Sequence, residues 1–203
     1  MTTFLMRHFP TAHNSDDPSK ERIRGWGNQG VSDEGKAMVP AAVEALKAHP
    51  PEVIFTSDLP RSRESGELLG KALNVPVVPS RALRTWNVGD ITGQPVQDAK
   101  PQLDELQHTK RTKPAPNGES YQDFFDRWGD NLARLRSMGR NGDVLAVLHG
   151  RQVYSAPNHV QGKGPAGIPT HGAPDPGDIL AVNERTKRLE YVHRSGATPK
   201  VTA

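Results

Sequence analysis

The chain predicts an α/β sandwich with helices on both faces of a mostly parallel mixed sheet. Three observations carry this expectation. Short apolar runs alternate with amphipathic stretches over most of the sequence, the pattern of strands joined by crossover helices. Three of those runs end in polar, chemically able residues, at Arg7-His8, Ser57 and His149. The last two apolar runs are close enough to form a hairpin, which adds antiparallel character at one edge.

Taken in order, residues 3–6 (Thr-Phe-Leu-Met) read as a short buried strand leading into Arg7-His8. Ser32, followed by Asp33 and Glu34, is a helix N-cap with acidic first-turn residues. The helix it opens places Val39, Ala42, Val43 and Leu46 inward and ends before Pro50-Pro51. Val53-Ile54-Phe55 is a second strand, stopping at Thr56-Ser57, and a helix from about Arg61 to Ala72 follows. Val75 to Val78 is a short strand whose proline suits an edge or a strand start. Pro101 opens a short helix through Leu106. Ser120 to Met138 is a longer helix with Phe124, Trp128, Leu132 and Leu135 spaced for burial. Val144 to Leu148 carries the strongest strand signal. Residues 155–177, rich in Gly and Pro, read as a long loop. Ile179–Val182 and Leu189–Val192 form the terminal hairpin. A single domain over residues 1–194 and a frayed tail over 195–203 are expected.

Composition bounds the chemistry. The 203 residues fit one fair-sized domain, and 34% hydrophobic content with 19 glycines and 18 prolines supports one modest core. Mean hydropathy is −0.67. The absence of cysteine excludes disulfides, thiolate catalysis and Cys-based zinc sites. No stretch reads as a signal peptide or a membrane span, so a cytoplasmic protein is expected. The net charge of +3 and isoelectric point of about 9.3 invite a nucleic-acid reading. The basic residues fall into motifs and form no run or stripe, so an anionic small molecule fits better and no nucleic-acid partner is expected.

Ligands of open α/β sheets bind beyond the carboxyl ends of the strands. Arg7, His8, Asn14, Arg61 and His149 would therefore converge on one site. Arginine's planar fork matches phosphate oxygens, and a neutral imidazole can attack phosphorus directly. A second, protonated histidine would stabilise the transferring group. This scheme needs no metal or other cofactor. Taken singly, each residue has a plainer reading: Arg7-His8 a surface pair, Arg61 a helix-start arginine, His149-Gly150 a turn. The combination is what points to phosphate chemistry.

The same stretches resemble the histidine phosphatase superfamily, whose fold is phosphoglycerate mutase-like. Arg7-His8-Phe9-Pro10-Thr11-Ala12-His13-Asn14 is similar to the family's Arg-His-Gly-x-Thr-x-x-Asn. The segment Ser57 to Ser65, containing Arg61, is similar to its Ser-x-Leu-x-Arg-x-x-x-Thr. Leu83 to Gly93 is similar to Leu-x-Glu-x-x-x-Gly-x-x-x-Gly, and Val147-Leu148-His149-Gly150 to its His-Gly strand end. Gly27 to Gly35 and Pro116 to Ser120 also fit. The resemblance implies that His8 takes a phosphoryl group, that Arg7, Arg61 and His149 clamp its oxygens and that Asn14 adds a hydrogen bond. The implied activity is a metal-independent phosphomonoester phosphatase acting on a small phosphorylated substrate. The alternatives are a phosphate-ester-binding module of the same fold that has lost turnover, and a phosphoglycerate-type mutase. The chain looks short of the extra elements that mutases carry.

Two departures stand out. Phe9 replaces the glycine after the nucleophile, which would narrow the pocket or redirect the loop. Thr85 stands where the family has a glutamate acting as general acid, and threonine cannot serve in that role near neutral pH. Asp90 and Glu119 are the candidate replacements, with Asp58 a third. Asp90 reads more simply as a turn residue beside Gly89, and Glu119 as a first-turn acid. Among the other histidines, His13 could line the pocket. His49 and His108 read as surface positions, and His159 and His171 fall in the Gly/Pro-rich stretch, a possible lid. Trp26 and Trp86 read as core residues or as packing at the pocket mouth.

Overall fold

The computed structural model describes residues 1–15, 17, 19–168 and 174–196. Alternation within the strands sets the layers. In β1 (Thr3–Arg7), Leu5 faces one core with Ala146, Leu148 and Leu180, while Phe4 and Met6 face another with Leu145, Val147 and Ile179. Successive strand side chains point to opposite faces, so a sheet apolar on both must be covered on both.

The strands are β1, β2 (Val53–Ser57), β3 (Val77–Ser80), β4 (Val144–Leu148), β5 (Ile179–Asn183) and β6 (Arg188–His193). Their spatial order is β3-β2-β4-β1-β5-β6. The first four in that order run parallel; β5 is antiparallel to both β1 and β6. One face is covered by α1 (Asp33–Ala37), α2 (Val39–Leu46) and α3 (Pro60–Leu73), which contribute Ala42, Leu46 and Leu69. The other is covered by α4 (Val96–His108), α5 (Tyr121–Met138) and α6 (Gly150–Val160). These supply Leu103, Phe124, Trp128, Leu132, Leu135 and Val153 to the larger core. The expected three-layer sandwich and mixed sheet are therefore present.

Several boundaries differ from expectation, each for a local reason. The helix capped by Ser32, whose side chain accepts from Gly35 N, breaks at Met38. Pro40, near the start of α2, cannot donate back and ends the run. The helix expected to open at Pro101 starts five residues earlier, at Val96. Ala99, Leu103 and Leu106 form one buried stripe along it, while Pro101 lies on its exposed side. The segment from residue 155, expected as loop, continues α6 to Val160 despite Pro157, because Val153, Ala156 and Val160 bury an i, i+3, i+7 stripe. Pro79 sits within β3, an edge strand, where a missing donor is tolerated. Ser195 N donates to Asp178 Oδ1 at 2.7 Å, and residues 197–203 lie outside the described part. Among the described residues, no helix is long and apolar enough to cross a membrane.

Candidate active site

The site grows out of strand order. Arg7 is in register with Leu148 and Thr56 with Val147, so three neighbouring strands end level. Ser57, His149 and His8 then stand side by side at the carboxyl edge, in the order β2, β4, β1. The His8 and His149 rings lie 5.3 Å apart, centroid to centroid, edge to face. Both residues are buried, at 2% and 3% exposure. Ser57 Oγ meets His149 Nε2 at 2.7 Å.

α3 supplies the next cation. It begins three residues after β2, so Arg61 lies in its first turn, at the same edge. Serines fasten this turn. Ser62 Oγ donates to Val147 O at 2.7 Å and accepts from Ser57 N at 2.9 Å. Ser65 Oγ accepts from Phe9 N at 3.0 Å and donates to Arg61 O at 2.6 Å. The Ser57-to-Ser65 segment is thus stitched both to β4 and to the loop after His8.

Each catalytic candidate is oriented by a contact that leaves another atom uncommitted. His8 Nδ1 lies 2.6 Å from Phe9 O. A carbonyl can only accept, so Nδ1 carries the proton and Nε2 holds the lone pair. Arg7 Nη1 donates to Pro174 O at 2.7 Å. Arg61 Nη1 and Nη2 donate to Gly27 O at 2.9 Å and Gly25 O at 2.7 Å. Arg7 Nε, Arg61 Nε and His149 Nδ1 are buried without a partner. Buried unpaired polar groups cost roughly 1–3 kcal/mol each, and three beside one imidazole form a ready anion site. The N-terminus of α6, starting at Gly150, adds its positive end.

Electrostatics agree with this geometry. Burial, then Arg24 nearby, pulls Arg7 down to about 10; burial, Arg24 and Arg7 pull Arg61 down to about 9. Both stay charged at neutral pH. His8 and His149 are held well below 6.5, first by burial and then by Arg61. Both rings are neutral in the free protein at neutral pH. His149 would gain its proton only when an anion offsets the arginines. A stability consequence follows. Below pH 6.5 the unfolded chain binds protons that the folded rings refuse, so stability is complete above that pH and falls beneath it. Each ring contributes about 1.4 kcal/mol per pH unit. The urea midpoint should drop from pH 7 to pH 5, and a midpoint flat over that range would show that the rings protonate in the fold.

The remaining sequence candidates are placed differently. Asn14 closes the turn after His8, its Oδ1 accepting from Thr11 N and Thr11 Oγ1 at 3.0 Å each, so only its amide nitrogen is left for a ligand. Glu119 Oε1 accepts from Asn87 N at 2.9 Å and pairs with Arg127 at 2.6 Å. Asp90 is exposed and accepts from Asn117 Nδ2 at 2.8 Å. Neither contacts His8, His149, Arg7 or Arg61. Asp58 is held by Arg84 at 2.6 and 2.7 Å, which keeps its carboxyl below the usual range. Thr85 is buried, and its carbonyl accepts from Trp26 Nε1 at 2.8 Å.

Phe9 does not narrow the site. It is fully buried, has no positive φ and packs in the second core with Val31 and Ile179. Trp86 is core, whereas half-buried Trp26 lies under Arg84, 4.6 Å from its ring centroid. His159 is in α6, not in a loop, stacked on Phe125 at 3.8 Å and lowered to about 4 by burial. His171 lies outside the described residues. Sequence reasoning passed over Arg24, which acts electrostatically on Arg7, His8, Arg61 and His149. The only signal was its place beside Gly25-Trp26. Among the described residues, no group of three or more His, Asp and Glu is placed to hold a metal ion.

Comparison with known proteins shows the family of the chain. The protein named "Uncharacterized phosphatase PhoE" of Bacillus subtilis (strain 168) is 24% identical over 163 residues, 79% of this chain and 78% of that protein. "Probable phosphoglycerate mutase GpmB" of Escherichia coli (strain K12 / DH10B) is 23% identical over 154 residues, 74% of this chain and 70% of that one. In fold, the chain is similar to mycobacterial glucosyl-3-phosphoglycerate phosphatase in complex with VO3. That match has a TM-score of 0.75 and 22% identity, covering 94% of this chain and 96% of that one. The family model of the histidine phosphatase superfamily (branch 1) matches residues 3–193. That match spans nearly the whole chain, so the chain belongs to the histidine phosphatase superfamily, branch 1.

Proposed function

We propose that the chain is a phosphomonoester phosphatase that works through a phosphohistidine on His8. One observation carries the reading. The Nδ1–H of His8 is committed to Phe9 O, which leaves Nε2 as the nucleophilic atom beside three unpartnered buried nitrogens, Arg7 Nε, Arg61 Nε and His149 Nδ1. Phosphoryl transfer is governed by positioning and by charge on the equatorial oxygens, and this arrangement supplies both. His8 Nε2 attacks phosphorus, the P–N bond forms, and the ester P–O bond breaks, its electron pair leaving with the oxygen, which takes a proton. Water then attacks phosphorus, the P–N bond breaks, and orthophosphate leaves with His8 neutral again. Arg7, Arg61 and His149 hold the three oxygens through both steps, and the Asn14 amide adds a hydrogen bond. The substrate is a small phosphorylated molecule, as the relatives' names also suggest.

The test is hydrolysis of 4-nitrophenyl phosphate in excess EDTA, with rapid acid-free quenching to capture the phosphoenzyme. Turnover that survives EDTA, with a captured phosphoryl group stable to alkali and labile to acid, is the expected result. Turnover without such an adduct would argue for direct attack by water. No turnover across pH 5 to 8, with phosphate esters still bound, would favour a module that binds without turning over.

A further inference from the structure

The carboxylates that the sequence offered in place of a glutamate at Thr85 are all committed. Asp58 is gripped by Arg84, Glu119 by Arg127 and the Asn87 amide, and Asp90 by Asn117 in an exposed turn. The departing ester oxygen still needs a proton. Five residues beyond His8, the Thr11–Asn14 turn carries a side chain that has none of these commitments. His13 N donates to Thr11 Oγ1 at 3.2 Å. Its carbonyl accepts from Arg24 Nη1 at 3.2 Å and from Arg22 N at 3.4 Å, which fastens the turn to the arginine that also acts on both site histidines. The ring's Nδ1 is buried and has no partner, and the guanidiniums of Arg24, Arg22 and Arg61 all bear on it.

We propose that His13 is the proton donor to the leaving oxygen, the role Thr85 cannot fill. The proposal rests on the phosphatase reading above. As the ester P–O bond breaks, the His13 imidazolium passes its proton to the departing oxygen and becomes neutral. In the second step the neutral ring takes a proton from the attacking water, which restores the imidazolium and closes the proton balance. In the free protein, burial and then Arg24, Arg22 and Arg61 keep His13 below 6.5. A bound phosphate dianion offsets those three cations, so the ring gains its proton together with substrate. Proton donation should then fade as pH rises.

The experiment compares wild type, His13→Gln and Glu21→Gln on two substrates, 4-nitrophenyl phosphate and glycerol 2-phosphate, from pH 5 to 8. The nitrophenolate departs readily without a proton; the alkoxide does not. Loss of a general acid costs about 10²–10⁴-fold. In His13→Gln, the loss on glycerol 2-phosphate should exceed the loss on 4-nitrophenyl phosphate by about 10²-fold at pH 5, and that excess should shrink toward pH 8. Equal losses on both substrates would overturn the proposal and make His13 a residue of the binding site or the fold. So would a leaving-group-selective loss in Glu21→Gln in place of His13→Gln, since Glu21 also lies beside Arg24, at 3.5 Å. Unfolding midpoints of the variants check that they fold. If wild type hydrolyses neither ester, the phosphatase reading itself falls; if it hydrolyses both and the variants match it, only the assignment of His13 falls.

Discussion

Replacing His8 with alanine should lower kcat on 4-nitrophenyl phosphate by about 10⁴-fold or more, the scale seen when a covalent nucleophile is removed. His8 Nε2 is the basic nitrogen freed by the Nδ1 contact with Phe9 O. The neighbouring ring of His149 has its Nε2 against Ser57 Oγ at 2.7 Å and cannot take over the attack without turning. The guanidiniums of Arg7 and Arg61 survive the substitution, because their anchors are the carbonyls of Pro174, Gly25 and Gly27 and not the His8 ring. Orthophosphate should therefore still bind, within about tenfold of wild type by calorimetry. The split between lost turnover and kept binding is what separates a nucleophile from a phosphate ligand. A variant that keeps a tenth of the wild-type rate would remove His8 from that role. The stability loss on acidification should also become shallower, because one of the two buried neutral rings is gone.

Gly89→Ala should be the most damaging single-methyl change, costing about 3–5 kcal/mol. Gly89 has φ +50°, the left-handed region, and an added Cβ would lie 1.8 Å from Pro116 O, 2.7 Å from Asn117 C and 2.8 Å from Gly118 N. The left-handed backbone alone costs a non-glycine residue roughly 1–2 kcal/mol. The greater part comes from the neighbours, which are all backbone atoms with no rotamer to yield. Relieving the clash would part segments 86–91 and 115–119. That seam contains Asp90 N to Pro116 O at 3.0 Å and Glu119 N to Asn87 O at 2.9 Å. It also contains Trp86 Nε1 to Glu119 O at 3.0 Å and Asn87 N to Glu119 Oε1 at 2.9 Å. Urea unfolding of the variant measures the loss directly, and a change under about 1 kcal/mol would mean that the seam can open without breaking these bonds.

The seam also explains why Asp90 and Glu119 stayed open as candidate acids in the sequence. Glu119 precedes a helix capped by Ser120 and shares a segment with glycine, features equally consistent with a catalytic loop. Its commitment to Arg127, eight residues on, and to Asn87, 32 residues back, exists only once the two segments meet. Asp90 likewise depends on Asn117, 27 residues away. For Phe9, the sequence shows that glycine is absent but not where the ring goes; its burial beside Val31 and Ile179 requires the second core to form.

The amino-acid sequence determined the strands, most helices and the polar residues that end them, because these follow from local periodicity, capping and the stiffness of proline. It also placed His8, Arg61 and His149 at element boundaries, where chemistry in parallel sheets gathers. Tertiary structure alone decided the rest: which nitrogen of His8 is free, that Ser57 stands against a histidine 92 residues away, and that His13 is tied to Arg24. Those outcomes depend on side chains from distant segments meeting when helices close over both faces of the sheet. A one-dimensional pattern does not encode such meetings residue by residue.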